Sequence, residues 1–329
     1  MNSVLLSIIV PVYNSEKSIV KCINSIVQNI SDFTYEVIII NDGSTDNTIL
    51  KINKLKEENP DILLFNNSNH GVSYSRNFGI SKSHGKWLAF VDSDDEVTSI
   101  FFQSFFQKQN NIENFDLFFG NVERINLDGT RFVEYNHPEK LCTVKEAITD
   151  YGLLKTGDIH AKIFKRSILL KKNIQFDCDI SYGEDRLFID QYFLNCTTIY
   201  LCNLICYKYI RNSLGLSYKL FSIDSEIKWL FQQSKVLYEM SEKLQISFEK
   251  TRLVGLTFRV FDLVPSNFNF KKFKYFLLNM PASAKNNWEA DLKVKYKKIS
   301  FVLPITKFLG PHSVYFLLKL SFFKNKIKA

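Results

Sequence analysis

The sequence lacks several motifs that would define common classes of nucleotide-binding protein. No G-x-G-x-x-G fingerprint follows its first apolar run, which argues against a nicotinamide-binding domain. Residues 9–20 also lack the glycine- and lysine-rich phosphate loop that a nucleotidyltransferase would favour near its N-terminus. The sequence shows neither internal repeats nor low-complexity linkers. Its composition, 46% hydrophobic and 23% charged, is typical of a globular protein.

The six cysteines show no paired C-x-x-C spacing. We therefore predict buried free thiols, which fit a reducing compartment. No signal peptide is evident before Leu5, because the first apolar run leads directly into Pro11 and polar residues. These features predict a cytoplasmic location.

Positive charge is concentrated in the C-terminal tail. The region from Lys285 onward contains ten lysines and two acids, which gives it a charge of +8. This equals the net charge of the whole chain, so residues 1–284 carry no net charge. We therefore expect no nucleic-acid partner. No apolar run in the tail reaches the ~20 residues of a membrane-spanning helix. Apolar residues beside lysines instead predict an interfacial helix on an anionic membrane surface over 285–329; a helix packed on the rest of the protein is the alternative.

Apolar runs alternate with helical patterns over the first hundred residues. Strands are predicted at 5–12, 36–40, 62–65 and 87–91, with amphipathic helices between them. This alternation predicts an α/β fold with a parallel sheet. Residues 116–119 and 131–135 flank the turn Asn126-Leu127-Asp128-Gly129, which predicts a hairpin, and residues 224–276 are predicted to be mainly helical.

Three carboxylates, Asp92, Asp94 and Asp95, follow the fourth predicted strand directly. Acids packed so closely repel one another unless a cation or a hydrogen-bonding ligand lies among them. Oxygen ligands of this kind suit Mg²⁺ or Mn²⁺, although a solvated acidic turn is the common alternative. The loops Pro11–Asn14 and Asn41–Asp46 also follow strands, so all three should meet at one edge of the sheet.

Four motifs together resemble the family 2 glycosyltransferases. They are Ile9-Val10-Pro11-Val12-Tyr13-Asn14, Asn41-Asp42-Gly43-Ser44-Thr45-Asp46, residues 69–79 (Asn-His-Gly-Val-Ser-Tyr-Ser-Arg-Asn-Phe-Gly) and Phe90-Val91-Asp92-Ser93-Asp94-Asp95. A second block, Lys162-Ile163-Phe164 and Ser181-Tyr182-Gly183-Glu184-Asp185, is similar to the acceptor-side half of the family. The resemblance implies a GT-A fold over residues 1–215, with a nucleotide-binding half (1–100), an acceptor half (101–215) and a helical C-terminal region (216–329).

The resemblance also implies roles for residues on the nucleotide side. Asp94 would be the metal ligand, and Asp92 would contact the ribose or assist the metal. Asp42 would accept a hydrogen bond from the base, and Arg76 would lie near the base and phosphates. Pro11 and Tyr13 belong to the first loop, whose backbone groups would meet the nucleotide. The role of Asp95 stays open between metal binding and capping of the loop.

Inversion requires a general base opposite the leaving group. Asp185 is our candidate, with Glu184 as the alternative or as its positioning partner; acids at a helix N-terminus are also favoured by the helix dipole alone. Arg211, together with Ser213, could meet the diphosphate. His160 and Lys162 could line the acceptor side, but a core histidine and a surface lysine are the default interpretations.

The resemblance implies an inverting transferase that moves a sugar from a nucleoside diphosphate donor, with UDP as the expected nucleotide. A hydroxyl of a glycan or lipid-linked acceptor in surface polysaccharide synthesis would receive it, and Mn²⁺ or Mg²⁺ would assist. A lipid-linked acceptor would place the protein peripherally on the inner face of the cell membrane. A nucleotidyltransferase and a non-catalytic carbohydrate- or membrane-binding scaffold on a transferase fold are the alternatives.

Overall fold

The computed structural model describes residues 4–28, 30, 33–111, 115–155, 157–211 and 223–246. These residues fall into two compact units. The first contains the described residues up to 178 and those from 183 to 211, and the second contains 179–182 and 223–246. The predicted tail at 285–329, the predicted helical region from 247 to 276 and Ser213 lie outside the described residues.

The first unit alternates strands and helices. Its first half consists of β1 (Leu6–Val12), α1 (Ile19–Val27), β2 (Tyr35–Asn41), α2 (Thr48–Glu58), β3 (Ile62–Asn66), α3 (Val72–Lys82) and β4 (Trp87–Phe90). Its second half continues with β5 (Glu96–Val97), α4 (Ile100–Asn111), β6 (Leu117–Ile125), β7 (Arg131–Val133), β8 (Lys140–Thr143), α5 (Val144–Thr149), a 3-10 turn (Leu153–Lys155), β9 (Lys162–Lys165), α6 (Arg166–Lys172), α7 (Glu184–Asn195) and β10 (Thr198–Ile210).

All described strands join one mixed sheet in the order β3-β2-β1-β4-β9-β6-β10-β5, with β7 added to β6 and β8 to β10. The four strands β3, β2, β1 and β4 are parallel, as predicted. Strand β9 lies antiparallel between β4 and β6 and joins the parallel part of the sheet to the second half. The α/β fold predicted from the alternating pattern is therefore confirmed.

Apolar faces explain how these elements pack. Every residue of β1 is buried, as expected for a strand covered on both faces. Helix α1 buries Ile19, Cys22, Ile23 and Ile26, which lie on one face at helical spacing. Helix α3 lies especially close to β1, because a Cβ atom built on Gly79 would come within 2.4 Å of Ile9. Close packing of α3 places its inward-facing side chains near the ends of the parallel strands.

Phenylalanines form much of the core on both sides of β4. Trp87 contacts Phe105 and Phe115 on one side, whereas Phe90 contacts Phe164 and Phe188 on the other. The predicted hairpin is also present, since β6 and β7 pair antiparallel around a turn in which Gly129 has a φ of +81°. None of the six cysteines forms a disulfide, and five are buried as predicted; Cys178 is exposed, which corrects the prediction for that residue.

The second unit is described mainly by α8 (Ile223–Leu244). Its buried residues recur at helical spacing: Ser225, Trp229, Gln233, Val236, Leu237 and Met240. Ser225 Oγ accepts a hydrogen bond from the Ser181 N–H (2.8 Å), and Lys228 Nζ lies 2.7 Å from Asp179 Oδ2. Among the described residues no helix is both long and apolar enough to cross a membrane.

Candidate active site

The loops that follow β1, β2 and β4 meet at one edge of the sheet, as their positions in the sequence predict. Asn14 joins the first two loops: its N–H donates to Ser44 Oγ (3.0 Å) and its Oδ1 accepts from the Thr45 N–H (2.7 Å). The hydroxyls of Ser15 and Ser93 lie 2.7 Å apart and join the first loop to the acidic loop after β4. Side-chain hydrogen bonds therefore hold the three loops together.

Pro11 lies where β1 separates from β4. Strand β1 pairs with β4 over Leu6–Ile9 but with β2 along its whole length, so Pro11 faces Ile40 on one side only. A proline has no N–H to donate, so it is tolerated where a ladder ends. Tyr13 follows with its side chain 48% exposed. The end of β1 thus leaves an open edge beside the acidic loop.

Asp42 holds the loop that precedes α3. Its Oδ1 accepts from the N–H of His70 (2.8 Å) and its Oδ2 from the N–H of Gly71 (2.7 Å). Gly71 has a φ of +91°, a conformation that favours glycine, and it is the N-cap of α3. Asp42 therefore fixes the start of the helix that carries Arg76. Its predicted contact with a base remains a prediction.

Arg76 is the central cation of the site. Its guanidinium is buried, with 3% of the side chain exposed. Nη2 donates to Asp92 Oδ1 (2.9 Å), whereas Nη1 donates to Asp185 Oδ1 (2.6 Å) and lies 3.4 Å from Glu184 Oε1. Arg76 is therefore not an exposed arginine on the surface of α3. One buried side chain joins the acid after β4 to the acidic pair at the start of α7.

A histidine lies on the other side of Asp92. His160 Nε2 donates to Asp92 Oδ2 (3.0 Å) and lies 3.8 Å from Asp95 Oδ2. The His160 ring is buried and stacks on Tyr207 with centroids 4.7 Å apart. His160 is thus buried, as the core interpretation requires, but it also contacts two acids of the acidic loop.

Asp95 is a structural anchor of the acidic loop. Tyr207 donates its hydroxyl proton to Asp95 Oδ2 (2.9 Å), and the Ile210 N–H donates to Asp95 Oδ1 (2.7 Å). The same Tyr207 oxygen accepts from the Asp92 N–H (3.1 Å). These bonds tie the loop to β10 and support the capping role that the sequence left open for Asp95.

The charges in this cluster shift the pKa values of its members. Burial would raise the pKa of Asp92, but Arg76 and His160 hold it well below its usual range. Burial raises the pKa of Asp95 to about 8, against the opposing charge of His160. Burial would lower the pKa of His160, yet its bond to Asp92 and the nearby acids raise it to about 9. Near neutral pH, an imidazolium and a guanidinium therefore flank an ionised Asp92.

The two acids on α7, Glu184 and Asp185, have raised pKa values, in contrast to Asp92. Burial and the charge of Asp185 raise the pKa of Glu184 to about 7, with Arg76 opposing. Burial also raises the pKa of Asp185 despite the guanidinium 2.6 Å away. Carboxylates with raised pKa values are suited to accept a proton near neutral pH.

A divalent cation fits the donor atoms at this edge. Asp92, Asp95 and His160 each offer one ligand atom, and these atoms lie within 4.8 Å of one another. Carboxylate oxygens suit Mg²⁺ and Mn²⁺, whereas the His160 imidazole could bind a metal only after losing the proton that it holds near neutral pH. Asp94, the ligand implied by the resemblance, is half-buried in the same loop but outside this group. Its role as the metal ligand remains a prediction.

Two further predicted residues lie around this cluster. Lys162 is fully buried, so its default interpretation as a surface lysine is wrong; Nζ donates to Asp158 Oδ1 (3.2 Å) and to the His160 carbonyl (3.1 Å). Arg211 follows β10 and is exposed, and its N–H donates to the Ile125 carbonyl (2.9 Å). It lies next in sequence to Ile210, which contacts Asp95.

Asp158 is the main residue of this cluster that the sequence analysis did not name. Asp158 accepts hydrogen bonds from Arg124 and Tyr135. Burial would raise its pKa, but the charges of Lys162, His160 and Arg124 lower it to about 2. A sequence signal was available: Asp158, His160 and Lys162 alternate with the apolar residues Ile159, Ala161 and Ile163. Three titratable residues within such an apolar run indicate a buried polar cluster, not a surface strand.

The fold and the two groups of acids define a glycosyltransferase of the GT-A type. A family model described as glycosyl transferase family 2 matches residues 7–171, half of the chain. The chain therefore belongs to glycosyl transferase family 2, and the predicted family is confirmed.

Two bacterial glycosyltransferases are similar to this chain. An uncharacterised glycosyltransferase of Haemophilus influenzae is 35% identical over 165 residues, which are 48% of this chain and 60% of that protein. Glycosyltransferase GlyG of Streptococcus pneumoniae is 28% identical over 222 residues, 64% of this chain and 72% of GlyG. This chain thus spans less than two thirds of the Haemophilus relative.

The fold matches solved structures of Staphylococcus aureus TarS. TarS 1–349 in complex with UDP-GlcNAc superposes with a TM-score of 0.64 and 21% identity, covering 88% of this chain and 79% of that one. At this level of identity the match shows the fold, and it confirms the predicted GT-A architecture.

Proposed function

We propose that this protein is an inverting glycosyltransferase that moves a sugar from a nucleoside diphosphate donor, with UDP as the nucleotide, to a hydroxyl of a glycan or lipid-linked acceptor. The observation that carries the proposal is the bridge made by Arg76. It joins Asp92, on the donor side, to Asp185 and Glu184, the candidate bases. Donor and base groups are thereby held at one site, as direct displacement at an anomeric carbon requires.

The donor proposal is supported by the strand-end loops and by the relatives. Solved structures of TarS are complexes with UDP-GlcNAc and with UDP. In this chain, Pro11 and Tyr13 lie at the end of β1, with Asp42 after β2. We propose that these residues contact the nucleotide, that Asp92 contacts the ribose side, and that Arg76 and Arg211 contact the phosphates.

Proton removal is assigned to the acidic pair on α7. Asp185 is the proposed base, because Arg76 fixes its Oδ1 at 2.6 Å and leaves Oδ2 to accept the hydroxyl proton of the acceptor. Glu184 has the weaker bond to Arg76 and is the proposed positioning partner. As the acceptor oxygen bonds to the anomeric carbon, the sugar–phosphate bond breaks and the nucleoside diphosphate leaves.

A divalent cation, Mn²⁺ or Mg²⁺, would supply positive charge that stabilises the leaving diphosphate. We propose that Asp94 and Asp92 would hold it, with Asp95 as a further oxygen ligand in the same cluster, while the protonated His160 would balance charge and not bind the ion. His160 and Arg76 already balance part of the acidic charge around Asp92. These contacts hold the acidic loop in place.

The relatives and the basic tail support a proposal for the acceptor and the location. A relative from S. aureus, 26% identical over 64% of this chain, is the poly(ribitol-phosphate) β-N-acetylglucosaminyltransferase TarS. We propose an acceptor in cell-surface polysaccharide synthesis and a peripheral position on the inner face of the membrane through the basic tail. Co-sedimentation with anionic vesicles, which should fall after neutralisation of Lys324, Lys326 and Lys328 to glutamine, tests the membrane proposal.

The decisive experiment is a panel of UDP-, GDP- and dTDP-sugars assayed for hydrolysis and transfer, with Mn²⁺, with Mg²⁺ and with a chelator. We expect turnover of a UDP-sugar that requires the metal, and its loss in Asp94→Ala. The exposed Asp61→Ala is the matched control. Unchanged turnover in Asp94→Ala would remove the metal assignment. Calorimetric binding of a donor without any turnover would favour the scaffold alternative.

A further inference from the structure

Asn77 forms an unusual pair of bonds with a distant backbone. Its Oδ1 accepts from the Phe176 N–H (2.9 Å), and its Nδ2 donates to the Phe176 carbonyl (2.8 Å). One side-chain amide thus satisfies both main-chain groups of a residue 99 positions later. Asn77 lies directly after Arg76 on α3, so the same turn of helix carries both residues. The amide anchors the Phe176 backbone to α3.

The ring of Phe176 connects the two sides of the site. It stacks on Phe188 with centroids 4.0 Å apart and planes 4° apart, and it meets Phe90 edge-on at 5.4 Å. Phe188 lies one turn beyond Asp185 on α7, and Phe90 lies two residues before Asp92. The ring therefore contacts both elements that carry the acids bound by Arg76.

The same ring supports the guanidinium. The Arg76 Cζ atom lies 5.2 Å from the Phe176 ring centroid, within the range of a cation–π contact. The Arg76 Nε is buried and has no hydrogen-bond partner among the described residues. The two Nη groups and the aromatic ring thus determine where the guanidinium lies. If Phe176 shifted, Arg76 and the first turns of α7 would both lose a packing contact.

We infer that Asn77 is a positioning residue: by holding the Phe176 backbone, it sets the placement of Arg76 and of the Glu184–Asp185 pair relative to Asp92. The inference rests on the proposed function for its catalytic meaning. It assigns Asn77 no contact with donor, acceptor or metal. Asn77 acts through Phe176, so its loss changes geometry at the base more than it changes donor binding.

The test compares Asn77→Ala with Asn59→Ala. Asn59 is a fair control, because it is also half-buried and its Nδ2 donates to a main-chain carbonyl, that of Leu55, at 2.9 Å. The first readout is amide hydrogen exchange of residues 187–190 in α7, which requires no activity. We expect exchange there to rise tenfold or more in Asn77→Ala and to stay unchanged in Asn59→Ala.

The second readout is the division between kcat and KM. At saturating donor, kcat should fall tenfold or more in Asn77→Ala, a larger change than in the donor KM or in the calorimetric Kd of UDP. Phe176→Leu keeps the Asn77 bonds but removes the flat ring, and it should show the same pattern. Asn77→Asp, which retains the acceptor for the Phe176 N–H, should fall between Asn77→Ala and the unmodified protein. If Asn77→Ala does not fold, Phe176→Leu and Asn77→Asp carry the test.

Three results would overturn the inference: unchanged exchange in α7, equal effects of Asn77→Ala and Asn59→Ala, or a loss confined to donor affinity. Failure of the proposed function has a different signature. In that case the unmodified protein turns over no sugar nucleotide, while α7 exchange still rises in Asn77→Ala alone and supports the anchoring role. An active protein in which Asn77→Ala matches its control overturns the positioning role only.

Discussion

Arg76 Nη1 lies 2.6 Å from Asp185 Oδ1, across 109 positions of sequence. The other terminal nitrogen of the same guanidinium lies 2.9 Å from Asp92. Because the guanidinium is planar and rigid, these two bonds also fix the distance between the two carboxylates. In a buried site, loss of one partner leaves the other charge unpaired, which is strongly destabilising. The arrangement makes Arg76 important for both stability and geometry.

Two replacements of Arg76 distinguish the contribution of its charge from the contribution of its planar shape. Arg76→Lys keeps the charge but cannot donate from two fixed nitrogens, so we expect a loss of about 1–3 kcal/mol of stability and at least a tenfold fall in kcat. Arg76→Gln also removes the charge and should lower the free energy of unfolding by about 3–5 kcal/mol. Urea unfolding and sugar-nucleotide turnover provide the measurements.

The control for this pair is Arg131→Lys. Arg131 is largely exposed, and its Nη1 lies 3.7 Å from Glu123 Oε2, so its replacement should change stability by less than about 0.5 kcal/mol. Equal effects of Arg76→Lys and Arg131→Lys would contradict the central role of Arg76.

Substitution of the two α7 acids should identify the base. Asp185→Asn retains the shape of the side chain but cannot take a proton, so transfer should fall about 10²–10⁴-fold with donor binding retained. Glu184→Gln should reduce transfer less, because Glu184 has the longer contact with Arg76. Steady-state kinetics and calorimetry of UDP check both. If transfer falls further in Glu184→Gln than in Asp185→Asn, Glu184 is the base and Asp185 is its positioning partner.

Glu184 should also make stability depend on pH. Its pKa is raised from 4.5 to about 7 in the folded protein. Well below pH 4.5 the carboxyl is protonated in the folded and the unfolded protein alike, so it does not change the free energy of unfolding. As pH rises from 4.5 through 7, the unfolded chain loses this proton first, and folding is weakened by up to about 3 kcal/mol. Glu184→Gln cannot ionise, so it should exceed the unmodified protein in stability at pH 8 and match it at pH 4.5.

Urea unfolding at the two pH values measures this difference. Glu58→Gln, an exposed glutamate on α2, is the control and should follow the unmodified protein at both. If Glu184→Gln shows no gain at pH 8, the carboxyl is not destabilised by burial in the way the structure indicates.

Local sequence pattern predicted the nucleotide-binding half well. The first four strands and the helices between them lie where apolar periodicity placed them, because each element buries a face defined by its own residues. The convergence of three strand-end loops also followed from a general property of parallel sheets. These features depend on short-range pattern and on topology, so sequence is sufficient for them.

The remaining geometry depends on pairs far apart in the chain. Nothing near Asp95 indicates that Tyr207, 112 residues later, donates to it, and nothing near Lys162 indicates that its amine lies 4.2 Å from the ring centroid of Phe119. The pairing of β5 with β10 brings Asp95 to Tyr207, and the insertion of β9 beside β6 brings Lys162 to Phe119; antiparallel pairings between distant segments leave no periodic signal. Burial of Arg76 and Lys162 was therefore not predicted.

Tyr207 offers a test of the acidic loop itself. Its hydroxyl donates to Asp95 Oδ2 and accepts from the Asp92 N–H, so Tyr207→Phe leaves a buried carboxylate oxygen and a buried N–H without this partner. We expect a loss of about 1–3 kcal/mol of stability. Because the ring stays in place, its stacking on His160 should persist, and the effect should be confined to the loop.

The measurement is urea unfolding combined with metal-dependent turnover. Tyr74→Phe is the control, because Tyr74 is 38% exposed and loses the same hydroxyl group. A mobile acidic loop would bind the cation less well, so the Mn²⁺ concentration for half-maximal turnover should rise in Tyr207→Phe and not in Tyr74→Phe. If stability falls while the metal requirement is unchanged, Tyr207 supports the fold but does not shape the loop for the ion.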